Sequence, residues 1–254
     1  MTVEARLRKA LDRNEMRLYY QPKLDVGTNR IEGVEALLRW QINATTMVAP
    51  NAFIPIAEET GLIEPIGQWV LQQACQQMNV WRQEGKTPIE MAVNLSPVQF
   101  ENKAMPAVFR KIVEQRGISP RLITFEVTES LFLHDVDKKI KAMNRLRDAG
   151  FKISIDDFGT GYSSFSYLKK LPLDELKIDR SFFTDLFTDT KSRALISALI
   201  YLARSLNLTT VAEGVEKEDQ LDFLQKGACD HYQGYLFSPP LPPEKLSPML
   251  SSNE

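Results

Sequence analysis

Apolar and polar positions along this chain follow two periods. Eight short runs rich in Ile, Val, Phe and Tyr read as β-strands: 17–26, 30–40, 89–95, 122–128, 151–157, 175–179, 209–213 and 230–237. Between them, apolar residues recur three and four apart. The clearest case spans 63–84, where Ile66, Trp69, Val70, Ala74, Met78 and Trp81 share one helical face ahead of Gly85. Further helical patterns span 105–116, 135–149, 189–206 and 217–226. Gly117, Gly150 and Gly227 stand just past three of these ends, where a left-handed cap is expected.

Strands alternating with helices over 254 residues predict an α/β fold, a TIM-like (β/α)8 barrel, with a doubly wound open sheet as the other candidate. The first two runs break the alternation. Only Gly27-Thr28-Asn29 separates them, which leaves no room for a crossover helix. They are therefore expected to form an antiparallel hairpin, giving a modified barrel with one antiparallel strand near the N-terminus. No linker, low-complexity tract or charge block interrupts the pattern, so residues 1–254 are read as a single domain.

Composition narrows the function. The 31 basic and 33 acidic residues nearly cancel, so no basic excess points to a nucleic acid polymer. Two cysteines, Cys75 and Cys229, stand far from any Cys-x-x-Cys pair, which fits a reducing, cytoplasmic setting. Neither a leader-like segment nor an apolar run of about 18 residues occurs, so no membrane segment is expected in this chain. His134 and His231 are the only histidines, and both read as surface residues. Serine triads and histidine-rich zinc sites are correspondingly disfavoured.

The unusual feature is polarity inside the strands. Parallel strands covered on both faces should be almost continuously apolar. Here nearly every run carries a carboxylate, amide or lysine: Glu35, Asn94, Glu126, Asp156 with Asp157, Lys177, Glu213 and Gln233. Burying one carboxylate costs several kcal/mol unless something compensates it. In a barrel these strand ends converge on one face, where barrel enzymes keep their chemistry. Five carboxylates against one lysine leave a negative excess that divalent cations would relieve. All-oxygen ligands suit Mg²⁺ or Mn²⁺. The adjacent Asp156 and Asp157 invite a two-metal site, with ions roughly 3.5–4 Å apart flanking an in-line displacement at phosphorus. Lys177 could then hold the attacking water, neutralise a phosphate oxygen, or serve only as a salt-bridge partner. The small-residue loop from Asp157 to Ser164 reads either as a phosphate cradle or as a mobile loop that orders the ligands.

These residues also carry a family resemblance. Gln21-Pro22, Glu35-Ala36-Leu37-Leu38-Arg39-Trp40, Val93-Asn94-Leu95-Ser96 and Glu126-Val127-Thr128-Glu129-Ser130 occur in order. They are followed by Asp156-Asp157-Phe158-Gly159-Thr160-Gly161, Leu176-Lys177-Ile178-Asp179, Ala212-Glu213-Gly214-Val215-Glu216 and Gln233-Gly234-Tyr235. Together they resemble the EAL domain of bacterial cyclic di-GMP phosphodiesterases, over residues 7–243. The resemblance implies hydrolysis of one 3′-5′ phosphodiester bond of cyclic di-GMP to linear pGpG. It implies a first metal ion on Glu35, Asn94, Glu126 and Asp156, and a second on Asp156, Asp157 and Glu213. Lys177 matches the residue that positions the attacking water, and Glu213 doubles as a general base. Gln21, Leu38, Arg39, Glu216 and Gln233 match positions that touch the dinucleotide. Asp179 matches a supporting residue near the lysine, and Glu129 one that anchors the loop after Asp157. A homodimer and an upstream sensor or cyclase domain are further implications, as is the family's alternative role, a catalytically silent cyclic di-GMP receptor. An aldolase-like lysine enzyme is disfavoured, because a Schiff-base lysine needs no carboxylate cluster. One departure from the family pattern is the stretch from Gln41 to Val48, where a His-Pro pair and a glycine turn are usual.

Overall fold

The computed structural model describes residues 3–133, 135–159 and 168–251. The strands are β1 Met16–Asp25, β2 Ile31–Gln41, β3 Met47–Val48, β4 Glu90–Asn94, β5 Ile123–Thr128, β6 Lys152–Phe158, β7 Glu175–Ile178, β8 Thr209–Glu213 and β9 His231–Gln233. The helices, in chain order among the described residues, are α1 Val3–Leu7, α2 Pro50–Glu59, α3 Ile63–Gln83, α4 Pro97–Glu101, α5 Met105–Gln115, α6 Val136–Asp148, α7 Ser181–Thr184, α8 Thr190–Ser205, α9 Glu218–Lys226 and α10 Pro243–Leu246. None is long and apolar enough to cross a membrane.

The sheet runs β1-β9-β8-β7-β6-β5-β4-β2, and β1 pairs with β2 to close the ring. Six strand pairs from β2 round to β9 are parallel. Strand β1 is antiparallel to both of its neighbours. The architecture is thus the modified TIM-like barrel with one inverted strand. The two-residue β3 lies outside the ring, paired to the end of β2. It is built by the atypical 41–48 stretch. There the Asn43 Oδ1 accepts from Thr45 N at 2.9 Å and Thr46 N at 2.8 Å, turning the chain back on β2.

Alternation within the strands explains the polarity that the sequence flagged. The outward positions of β5, Ile123, Phe125 and Val127, are buried under helices. Phe125 packs on Phe109 of α5 at 5.3 Å between ring centroids and on Phe151 at 4.9 Å. The intervening positions, Thr124 and Glu126, point into the barrel. The same alternation sets Ser154 and Asp156 inward on β6, and Glu175 and Lys177 inward on β7. The hydrophobic core is therefore a shell between strands and helices, anchored by Trp40 on Phe53 of α2 and by Tyr20 on Trp81 of α3. The lumen is left mainly to polar groups, with Ala92 and Val211 among them.

Two details differ from expectation. Gly227 stays right-handed at φ −77°, and Ala228 takes the positive φ of 54° in its place. The last strand ends at Gln233, because Leu236 N donates to Val215 O and turns the chain across the barrel mouth. Short α2 and α4 begin at prolines that fit a first helical turn, and their patterns were too brief to register in the sequence.

Candidate functional site

Lys177 is the hub. Its ammonium is fully buried in the lumen, and four carboxylates surround it. Nζ lies 2.7 Å from Glu213 Oε1, 2.9 Å from Glu126 Oε1, 3.3 Å from Asp156 Oδ1 and 3.4 Å from Glu35 Oε2. Strand register explains the convergence. Glu35 (β2) stands beside Ala92, Asn94 (β4) is level with Glu126 (β5), and Asp156 (β6) is level with Thr128. Glu35 stands near the end of the parallel pairing of β2 with β4 and the others end or nearly end their strands, so all reach the carboxyl-end mouth of the barrel.

Amides complete the cluster. Asn94 Nδ2 donates to Glu35 Oε1 at 2.8 Å, and Gln233 Nε2 donates to Glu35 Oε2 at 2.7 Å and to Gln21 Oε1 at 3.2 Å. Glu35 is thus held on both oxygens. Burial works against its charge, but Lys177 and these donors prevail and keep its carboxyl below the ordinary range. Glu126 goes the other way. Burial and the charge of Glu35 push it well above the ordinary range despite Lys177. Glu213 is raised to about 8, by burial first and then by Asp156 and Glu35, with Lys177 opposing. Lys177 itself is driven well above its ordinary value, because the attraction of Glu126 and Glu213 outweighs its desolvation. One ammonium does not neutralise this site.

Asp157 follows Asp156 with a left-handed backbone, φ 55°, which turns it out of the strand direction. Burial, Asp156 and Asp179 raise its carboxyl above the ordinary value. Oxygens of Asp156, Asp157 and Glu213 all lie within 4.8 Å of one another. Such hard oxygen donors with excess negative charge fit a divalent cation. Glu126 Oε2 adds a buried oxygen at the same centre with no hydrogen-bond partner among the described residues. The loop that follows is pinned where Gly159 N donates to Glu129 Oε2 at 2.8 Å. Thr160 to Ser164 lie outside the described residues, as does His134.

The remaining positions divide. Leu38 and Arg39 line a cleft of about 380 Å³ beside Glu35 and Asn94, together with Glu58 and Gln99. The Arg39 guanidinium sits 5.9 Å over the Tyr19 ring. Glu216 is exposed on the loop between β8 and α9, its backbone N donating to Gln220 Oε1 at 2.7 Å. Among the described residues its carboxylate makes no hydrogen bond or ion pair. Asp179 caps the following turn, accepting from Ser181 N at 2.9 Å, and no ion pair among the described residues joins it to Lys177. His231 is at the opposite end of the barrel, with Nε2 2.9 Å from Glu32 Oε2. Cys75 and Cys229 are free and buried, each thiol pushed up to about 12 chiefly by burial.

The sequence reading missed a second inward layer. Lys23, Thr124, Ser154 and Glu175 each stand two residues from a flagged position, on the same strand face. Lys23 Nζ binds Glu175 Oε2 at 2.6 Å, with both side chains buried. Extending each strand-end residue by the period of two would have found them.

The family description "EAL domain" matches residues 4–240. The chain belongs to the EAL domain family. It is 45% identical over 240 residues to the bifunctional diguanylate cyclase/cyclic di-GMP phosphodiesterase MucR of Pseudomonas aeruginosa, covering 94% of this chain and 35% of that protein. It is 38% identical to the cyclic di-GMP phosphodiesterase NbdA of the same organism, covering 98% of this chain and 32% of the relative. This EAL chain thus spans about a third of the length of these relatives. Among solved structures, the PaMucR phosphodiesterase in complex with c-di-GMP superposes with a TM-score of 0.89, at 45% identity and covering 95% of this chain and 98% of that one.

Proposed function

We propose that this EAL domain, residues 1–254 acting as one domain, hydrolyses cyclic di-GMP to linear pGpG with the help of two divalent ions, Mg²⁺ or Mn²⁺. The observation that carries the reading is the Lys177 cluster: four carboxylates within 3.4 Å of one buried ammonium at the barrel mouth. Its negative excess matches the need for metal. Similarity to MucR and NbdA, phosphodiesterases by name, supports the substrate.

In this reading Glu35, Asn94, Glu126 and Asp156 hold one ion, and Asp156, Asp157 and Glu213 hold the other. When bound, such ions polarise the phosphodiester and favour the hydroxide form of water at neutral pH. The protein's own groups do the positioning. Lys177 donates a hydrogen bond to the attacking water, its ammonium held in place by Glu126 and Glu213. Glu213, whose carboxylate lies 2.7 Å from the Lys177 ammonium, is placed to accept the proton released by that water. The water oxygen bonds to phosphorus, the bond to the 3′ oxygen breaks, and that oxygen leaves as a hydroxyl after taking up the proton that Glu213 received from the water. Gln21 and Gln233 orient Glu35 and reach the dinucleotide, while Leu38, Arg39 and Glu216 flank it at the mouth. The planar fork of Arg39 suits a phosphate or a guanine edge. Glu129 steadies the loop after Asp157, and Asp179 acts on Asp157 electrostatically.

The same proposal includes a homodimer, for which Phe187, Leu195 and Tyr201 offer exposed apolar surface. It also includes further sensor or cyclase domains in the natural protein and a cytoplasmic location, where a nucleotide messenger is available. Incubation with cyclic di-GMP and Mn²⁺ or Mg²⁺, followed by chromatography, should yield pGpG. Binding without turnover in either metal would overturn the enzyme reading in favour of a silent receptor.

A further inference from the structure

Beneath the Lys177 cluster the lumen holds a second set of polar groups that catalysis does not use. Thr124, Ser154 and Glu175 project inward from three neighbouring strands. Register places Ser154 level with Glu175 on one flank and with Glu126 on the other, while Thr124, level with Lys152, lies diagonal to Ser154 on the same inward face. All three residues are buried, at 1%, 0% and 5% exposure. Thr124 Oγ1, Ser154 Oγ and Glu175 Oε1 have no hydrogen-bond partner among the described residues. Buried polar groups are almost always paired, so three neighbouring orphans aimed at one axis point to a shared ligand.

Charge decides what that ligand is. Around Lys177 the four carboxylates exceed the single ammonium, and that half calls for cations. Beside the orphans charge is paired, and farther out on the floor Asp174 meets Arg147 and Glu32 meets His231. Lys23 pairs with Glu175, and Lys152 pairs with Glu90. An added cation would face the Lys23 ammonium, and an added anion the Glu175 carboxylate. A neutral molecule that both donates and accepts suits two hydroxyls and one carboxylate oxygen. There is room and a route in. A cavity of about 340 Å³ at the barrel floor is lined by Thr124, Glu175, Lys23 and His231. At about 30 Å³ per molecule it accommodates roughly ten waters.

We propose that the barrel interior carries an ordered-water site on Thr124, Ser154 and Glu175, continuous with the floor cavity. The uppermost water bridges Ser154 toward Glu126. The lumen is then hydrated from the floor, independently of whatever fills the mouth.

Water ¹⁷O magnetic relaxation dispersion on the full chain counts long-lived internal waters. A Thr124→Val/Ser154→Ala variant should show fewer than the parent, and an unchanged dispersion overturns the proposal. Stability gives an independent reading. If the hydroxyls are hydrated, Thr124→Val loses hydrogen bonds and melts about 2–4 °C lower. If they are dry, the same change relieves an unpaired group, and an equal or higher Tm overturns the site. A high-resolution crystal structure of the unaltered chain serves should the variants fail to fold. Density within hydrogen-bond distance of all three oxygens supports the site, and its absence overturns it.

Discussion

Replacing Lys23 by Met tests the inner layer on its own, away from the residues proposed to hold metal. Lys23 Nζ lies 2.6 Å from Glu175 Oε2 and 3.9 Å from Glu90 Oε2. Lys152 still serves Glu90 in the variant, so the damage falls on Glu175. Breaking a buried ion pair from one side leaves an uncompensated charge and costs about 3–5 kcal/mol. For a domain of this size about 1 kcal/mol moves Tm by roughly 2–4 °C, so Lys23→Met should melt roughly 6–20 °C lower. The pH dependence reverses as well. In the parent, burial pushes Glu175 up, but the charge and hydrogen bond of Lys23 more than offset it and hold the carboxyl below its ordinary 4.5. That contribution is present above pH 4.5 and lost as pH falls through the lowered value. Lys23, raised by Glu175 against its own burial, contributes below 10.5 and loses that only in strong alkali. In the variant burial, the largest influence, is opposed only by the weaker charges of Lys177 and His231, so the Glu175 carboxyl rises and stability is lost as pH climbs above 4.5. Thermal melts in chelator from pH 4 to 8 would read both effects. A Lys23→Met/Glu175→Met variant should recover most of the loss, since a well-packed apolar pair often equals a buried ion pair. A drop of less than about 1 kcal/mol in the single variant, or an unchanged pH slope, would refute the reasoning.

Three further outcomes are expected. Glu35→Ala should abolish pGpG formation while retaining the fold by circular dichroism; near-parental turnover would remove Glu35 from the metal assignment. In chelator, the parent should lose stability between pH 4.5 and about 8, because the folded state raises the Glu213 carboxyl and so holds its proton more tightly than the unfolded chain. Glu35, whose value is lowered, acts only below that window. Added Mn²⁺ should flatten the slope in melts, and a flat profile without metal would contradict the charge excess. Gly234→Ala would place a Cβ 2.1 Å from Val215 O and 2.3 Å from Val215 N, both backbone atoms, and should cost about 1–3 kcal/mol by denaturant titration. No measurable loss there would mean that the Val215 segment yields freely.

Much of the barrel was legible because each strand carries its own signal. Val34, Met91, Phe125, Ile155, Leu176 and Ala212 mark the outward faces, and the three-residue break at Gly27 forces the inverted hairpin whatever the rest does. The end of the final strand was not legible. Tyr235 and Leu236 have strand propensity, but the Val215 backbone captures Leu236 and redirects the chain. Gly227 misled for a similar reason: the left-handed turn came one residue later, at Ala228. At the site, strand-end carboxylates stood out against apolar neighbours. Ser154 and Thr124 did not, since small hydroxyl residues are ordinary in strands, and their significance appears only once register sets Ser154 beside Glu175 and Glu126, with Thr124 diagonal to it.

The first strand of the ring pairs with the last, Leu24 opposite Tyr232, and Glu35 receives its hydrogen bond from Gln233 across 198 positions of sequence. This closure orders events during synthesis. At roughly 5–20 residues per second, seven of the ring's strands leave the ribosome seconds to tens of seconds before the eighth can seal them. For that interval the sheet is open, and its concave face meets water. In an ordinary barrel that face would be bare aliphatic surface, prone to aggregate. Here it carries Glu, Asp, Lys, Ser and Thr, so the unfinished sheet is wettable on the side that is covered last. The polarity proposed to serve phosphate chemistry in the finished molecule thus also protects the nascent one.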